Sequence, residues 1–244
     1  MRRLLLFFLL LATSSTASAL SMFSVDHGGV SYDVVRLEPG EEQQLGLYWK
    51  RSDGTAYGTI QALREALVKE GKELLFATNG GIYSRSFSPL GLYIENGKRY
   101  YQLNRGKGGG NFFLLPNGVF YITAEGAAVV ETRDYNPKRK VRHAIQSGPM
   151  LVSNGQLHPR FIESSASLYV RNGVGVDVEG RVVFAISDMP VNFHDFATLF
   201  RDRLDAPNAL YLDGSISAMY APELNRYGGW GIHTYTSIIA LVGE

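Results

Sequence analysis

Ala209-Leu210-Tyr211-Leu212-Asp213-Gly214-Ser215-Ile216-Ser217 is an apolar run that stops at a carboxylate and continues in glycine and serine. A short run without polar positions reads as a buried strand. Its tail reads either as a plain turn or as a rigid platform where a carboxylate meets backbone N–H groups and hydroxyls. Just upstream is the clearest helix of the chain. Asn192 is placed to cap it and Asp195 sits where the free N–H groups favour negative charge. Phe193, Phe196, Ala197, Phe200 and Leu204 share its apolar face. Before that helix, Arg171-Asn172-Gly173-Val174-Gly175-Val176-Asp177 opens a hairpin that turns at Glu179-Gly180 and returns through Val182 to Ile186. Hairpin, helix and strand in succession place β-structure at the centre and a helix against it.

The same alternation extends toward the N-terminus. Val30 to Leu37 reads as a strand. Thr59 caps a helix to Glu70 with Ile60, Leu63 and Leu67 on one face and Gly71 as its stop. Glu73 to Thr78 is a short strand running into Asn79-Gly80-Gly81, and Ser237 to Val242 closes the chain as a last strand. Asn96-Gly97, Asn117-Gly118 and Asn154-Gly155 each divide two apolar runs, the strongest short-range signal for a hairpin. With no repeat and no linker-like tract, the expectation is one α+β domain, a β-rich sheet core with hairpins and at least two packed helices.

The first residues have another character. Met1-Arg2-Arg3 is basic, Leu4 to Ala12 is unbroken apolar sequence, and Ala17-Ser18-Ala19 fits a small-x-small cleavage site. This is the pattern of a secretory signal peptide over 1–19, which leaves 20–244 as the domain. No later stretch reaches the about 18 apolar residues of a spanning helix, so stable membrane insertion is not expected and a periplasmic or secreted location is. The chain carries 24 basic and 23 acidic side chains, which argues against a nucleic-acid binder. It has no cysteine, so disulfides, thiolate catalysis and cysteine-ligated metals are excluded.

Four polar segments carry candidate chemistry. Asn79-Gly80-Gly81-Ile82-Tyr83 combines an amide with glycines that allow close backbone approach. Gln146-Ser147-Gly148-Pro149 brings serine and glycine to another strand end. Arg171 is either a solvated edge charge or a phosphate ligand, since its guanidinium fork binds two oxygens at once. Asp188, in Ser187-Asp188-Met189-Pro190, leaves a strand end much as Asp213 does. It either supports its loop or pairs with Asp213 as the second carboxylate of a glycosidic centre. The five histidines show no metal-ligand spacing, and no serine-hydrolase elbow is present. The expectation is therefore no metal and no cofactor.

In order, Ala77-Thr78-Asn79-Gly80-Gly81-Ile82-Tyr83, Ala144-Ile145-Gln146-Ser147-Gly148-Pro149-Met150-Leu151-Val152, Arg171-Asn172-Gly173-Val174-Gly175-Val176 and Asn208-Ala209-Leu210-Tyr211-Leu212-Asp213-Gly214 resemble the phosphodiester glycosidase family. The likeness runs from about Leu74 to the C-terminus and is strongest to exported bacterial members. Two stretches depart from the animal members: Gly214-Ser215-Ile216-Ser217 replaces a triple-glycine loop, and Ser147-Gly148 replaces a glycine pair. The animal substrate is therefore not carried over.

The resemblance implies an exported hydrolase cleaving the glycosidic C–O bond of a sugar-1-phosphodiester. Asp213 and Asp188 would be its carboxylates and Arg171 its phosphate ligand, with Asn79 on a hydroxyl or phosphate oxygen. Gly80, Gly81, Gly148, Gly175 and Gly214 would shape the backbone around the ligand. Gln146, Ser147 and Ser217 would add polar contacts. The partner would be a sugar phosphate or glycan, and the oligomeric state stays open. Two alternatives stand beside it: a periplasmic glycan- or glycophosphate-binding protein without turnover, and a phosphodiesterase cutting P–O.

Overall fold

The computed structural model describes residues 20–244 except 139, 214, 215, 229–233 and 244, so the leader 1–19 and Gly214 lie outside the described residues. In chain order the first half comprises β1 (Ser21–His27), β2 (Val30–Leu37), β3 (Leu45–Tyr48), α1 (Ile60–Lys69), β4 (Glu73–Asn79), β5 (Tyr93–Glu95), β6 (Lys98–Tyr101), β7 (Gly118–Thr123) and β8 (Gly126–Glu131). There follow β9 (His143–Ser147), β10 (Met150–Ser153), β11 (Gln156–Leu157), β12 (Asn172–Val176), β13 (Val182–Ser187), α2 (Phe193–Asp202), β14 (Asn208–Tyr211), β15 (Met219–Ala221), β16 (Arg226–Tyr227) and β17 (Ile238–Gly243).

Three antiparallel sheets result. One has seven strands in the order β1-β2-β13-β12-β14-β10-β11, and two have five, β16-β15-β4-β17-β3 and β6-β5-β9-β7-β8. The class is α+β, as the sequence implies. Successive residues of a strand face opposite sides, and here both sides are buried. In β2 and β13, Val35, Leu37, Val182, Phe184 and Ile186 enter a core shared with Phe76, Phe120, Ile145 and Ile239 of the two five-stranded sheets. Tyr32, Val34, Val183 and Ala185 face the other way, onto Phe196, Leu199 and Phe200 of α2. Helix α1 covers the outer face of the β4–β17 pair through Ile60, Leu63 and Leu67 against Leu74, Ala77, Ile238 and Ala240.

Both helices begin where the capping residues place them. The Thr59 side chain accepts from the Ala62 N–H and that of Asn192 from the Asp195 N–H. Gly71 leaves α1 at φ +73°. The hairpins at Asn96-Gly97 and Asn154-Gly155 form, with all four residues at positive φ. Asn117-Gly118 does not, which corrects that reading. Asn117 is buried and its amide donates to the Phe112 carbonyl. Gly118 opens β7, where a Cβ would lie 2.2 Å from Met150 Sδ. This glycine serves close packing, not a turn. The hairpin β1–β2, turning at Gly28-Gly29 with φ of 58° and 77°, has no counterpart in the sequence reading.

Candidate functional site

The ends of all three sheets meet around Asn79, the last residue of β4. Its side-chain oxygen accepts from the Ala218 N–H (2.8 Å) and from Asn172 Nδ2 (3.0 Å). Asn172 opens β12 in the facing sheet, and its amide also donates to Thr78 Oγ1 (2.8 Å). Asn172 Oδ1 accepts from the Asp213 N–H (3.2 Å) and lies 3.1 Å from Ser217 Oγ, which is itself 2.7 Å from the Asp213 carbonyl. An amide side chain has two N–H donors and a two-lone-pair acceptor, so Asn172 joins two sheets and the Asp213 segment at one point. Both amides are about 1% exposed. With their polar atoms matched they avoid the cost of burial and fix the backbone at Asp213.

The third sheet enters through β9. Ser147 Oγ donates to the Leu212 carbonyl (2.8 Å) and accepts from the Ile82 N–H (3.2 Å). The two glycines after Asn79 permit this approach. A Cβ on Gly80 would lie 2.2 Å from Ser237 Oγ, and one on Gly81 would lie 2.9 Å from Ser147 Cβ. Two phenols stand in the electrostatic reach of Asp213. Burial, with the Asp213 charge behind it, raises Tyr83. Burial pushes Tyr235 up to about 12, with Tyr83 and Asp213 adding to it. Tyr83 also donates to the Thr234 carbonyl (3.0 Å), so its hydroxyl is held in place. The assembly offers a positioned carboxylate, neutral phenols and hydroxyls, and close backbone around them. Among the described residues no three His, Asp or Glu side chains converge as a metal site.

Asn79, Gly80, Gly81, Ser147, Asp213 and Ser217 are therefore brought together, and other expected residues are not. Arg171 precedes Asn172 and so faces the opposite side of the sheet, onto α2. It is 1% exposed, its guanidinium lies 3.7 Å from the Phe193 ring centroid, and burial lowers its pKa. Nε donates to the Val191 carbonyl (2.7 Å), Nη2 to the Ser167 carbonyl (2.9 Å) and Nη1 to the Tyr211 hydroxyl (3.4 Å). It is neither a solvated edge charge nor a guanidinium open to a ligand. Gly175 is under α2 as well, where a Cβ would lie 2.9 Å from Ala206 Cβ.

Gln146 is a buried cross-link, accepting from the Leu92 and Asn104 N–H groups and donating to the Asn104 carbonyl and Thr132. Gly148 packs on Asn117 Cβ and the Phe112 carbonyl. The Asp188 carboxylate is 42% exposed and pairs with Arg226, which also pairs with buried Asp33. The reading of Asp188 as a loop support fits this placement. Asn172, Thr78 and Tyr235 are the members missed from sequence. For Asn172 a signal was present: an uncharged amide opening an otherwise apolar, glycine-rich strand.

Residues 72–237 match the family model described as phosphodiester glycosidase. Among curated proteins, the chain is 42% identical over 180 residues to the uncharacterized protein YigE of Escherichia coli K12, covering 74% of this chain and 70% of that one. Among solved structures, it resembles the catalytic domain of zebrafish N-acetylglucosamine-1-phosphodiester alpha-N-acetylglucosaminidase, with TM-score 0.65 and 17% identity over 94% of this chain and 85% of that one. It also resembles a putative exported protein of Burkholderia pseudomallei, with TM-score 0.53 and 11% identity over 87% and 74% of the two chains. At these identities the structures bear on the fold alone. Among the described residues no helix is long and apolar enough to cross a membrane.

Proposed function

The chain belongs to the phosphodiester glycosidase family, and we propose that it is an exported hydrolase that cleaves a sugar-1-phosphodiester at the anomeric C–O bond. Export rests on the leader-like residues 1–19. The observation that carries the chemical reading is the hydrogen-bonded knot of Asn79, Asn172 and Ser217, which fixes the backbone on which the Asp213 carboxylate is mounted.

Water adds across the C–O bond, its hydroxyl going to the anomeric carbon and its remaining proton to the solution or the released phosphate monoester. The phosphate oxygen departs as an already stabilised anion, so strong general-acid help is unnecessary. Positive charge develops at the anomeric carbon, and a fixed carboxylate lowers that barrier or deprotonates the attacking water. Asp213 takes this role. Tyr83 supplies a hydroxyl, Ser147 holds the Leu212 carbonyl ahead of Asp213, and Gly80 and Gly81 let Ser237 and Ser147 pack against the chain after Asn79. Asn79, Asn172 and Ser217 act as positioning residues. Arg171 and Gly175 hold the sheet and α2 together, and Asp188 braces its loop through Arg226.

The test is hydrolysis of a sugar-1-phosphodiester in water enriched with oxygen-18. Label recovered in the sugar is the expected result. Label in the phosphate places the cut at P–O, and absence of turnover on a panel of such diesters favours a binding protein.

A further inference from the structure

A second pocket, of about 830 Å³, opens where two sheet edges meet, between β8 and the hairpin β10–β11. Its volume is that of a small-molecule site. The Asn154 end abuts the start of β14, with the Asn154 N–H donating to Asn208 Oδ1. Asp213 follows the other end of that strand, roughly 16 Å of extended chain away. That wall of the pocket is remote from Asp213.

The lining has one uncompensated charge. Glu131, 9% exposed, accepts from Ser153 Oγ (2.7 Å) across the sheet edges and pairs with Arg133 Nε (2.7 Å). Those two charges offset each other. Burial lowers the pKa of His158, also in the wall, which favours its neutral form. Arg105 remains, and among the described residues it has no hydrogen bond or ion pair. The lining also holds the neutral side-chain amides of Asn154 and Gln156, and among the described residues no Phe, Tyr or Trp is part of it. Beside the apolar side chains of Leu115, Pro116, Met150, Leu157 and Pro159, the pocket offers an unpaired cation and amides able both to donate and to accept, which suits the C–H faces, hydroxyls and anion of an acidic sugar ring.

We propose that this pocket binds an anionic saccharide, with Arg105 on the carboxylate or phosphate and Asn154 and Gln156 on ring hydroxyls. The proposal is independent of hydrolysis at Asp213.

Titration calorimetry on the full chain tests it with four probes: digalacturonate, glucose 1-phosphate, neutral galactobiose and inorganic phosphate. At least one anionic sugar is expected to bind about tenfold or more tightly than both galactobiose and phosphate. Which of the two binds distinguishes a uronate from a sugar phosphate. Arg105→Gln should weaken that binding about tenfold without shifting the melting temperature, and Asp213→Asn should leave it unchanged. Equal binding of galactobiose or of phosphate removes the anion or the sugar from the recognition and overturns the proposal. So does an unaffected Arg105→Gln variant, loss of binding in Asp213→Asn, or no binding by any probe.

Discussion

Arg171 and Asn172 are adjacent in sequence and face opposite sides of the seven-stranded sheet. The guanidinium of Arg171 is enclosed by Phe193, Tyr211 and two backbone carbonyls on the α2 side. The amide of Asn172 reaches across the inter-sheet space to Thr78 and Asn79 and receives the Asp213 N–H. A guanidinium only donates, so in a buried setting it gathers acceptor oxygens and pins loops. An amide donates and accepts, so it joins elements that each present both kinds of group. On a strand buried on both faces, formal charge is a poor guide to the functional face. Matching of donors and acceptors is a better one.

The sharpest way to break this comparison is at Asp213, the carboxylate whose backbone the Asn172 side fixes. Asp213→Asn retains the shape and removes the negative charge. Turnover of a sugar-1-phosphodiester should fall by a factor of about 100 or more, with the thermal midpoint close to that of the wild type. Steady-state kinetics and a circular-dichroism melt on one preparation check both halves. A variant of wild-type rate removes the catalytic role from this carboxylate.

Next come the two neighbours themselves. Asn172→Leu removes the buried acceptor of the Asp213 N–H, while Thr78 Oγ1 and Asn79 Oδ1 lose one partner and keep Ala218. It should cost about 2 kcal/mol of stability, the order of one buried group losing its partner, and should lower kcat because the Asp213 backbone loses its anchor. Arg171→Met keeps much of the apolar stem over Phe193 and gives up the charge-assisted bonds to the Val191 and Ser167 carbonyls, the first of which keeps the Tyr169 N–H. About 2 kcal/mol of lost stability is expected, with KM unchanged. Urea unfolding and a KM comparison between a sugar-1-phosphodiester and a p-nitrophenyl sugar separate the two variants. A KM rise confined to the phosphodiester in Arg171→Met would return the phosphate role to that arginine.

Much of the scaffold was legible because its signals are local. The caps at Thr59 and Asn192, the positive-φ pairs Asn96-Gly97 and Asn154-Gly155, and the apolar face of α2 depend on residues within one turn or one hairpin. The Asn117-Gly118 pair has the same letters and another use, because Met150, 32 positions on, leaves no room for a side chain at Gly118. At the site, Asn79, Ser147, Asp213 and Ser217 stand out as polar residues at strand ends. Asn172 also opens a strand, but its role stays hidden, since its partners Thr78 and Asn79 are more than 90 residues away and its face is set by sheet pairing. Arg171 drew attention by charge, and the pleat turned it away. Asp188 follows a strand end as Asp213 does, and the tertiary pairing with Arg226 sets it apart.

The smallest expected effect concerns two glycines assigned the same task by sequence. Gly175→Ala adds a Cβ that would sit 2.9 Å from Ala206 Cβ and 3.0 Å from Phe200 Cδ1. Phe200 of α2 and the Ala206 segment after it must shift, which costs a share of the 1–3 kcal/mol typical of overpacking. Gly175 lies in a strand and is absent from the positive-φ residues, so alanine recovers part of that loss by restricting the unfolded chain. The net expectation is about 1 kcal/mol of destabilisation, with kcat and KM at wild-type values. Gly81→Ala is the control on the other side of the sheet. Its Cβ would press on Ser147 Cβ at 2.9 Å and on the Gln146 carbonyl at 3.0 Å, beside the hydroxyl that holds the Leu212 carbonyl. There the kinetic loss should exceed the loss of stability. If Gly175→Ala instead changes KM while its melt stays put, the α2 side of β12 contributes to ligand binding, and the division between the two faces fails.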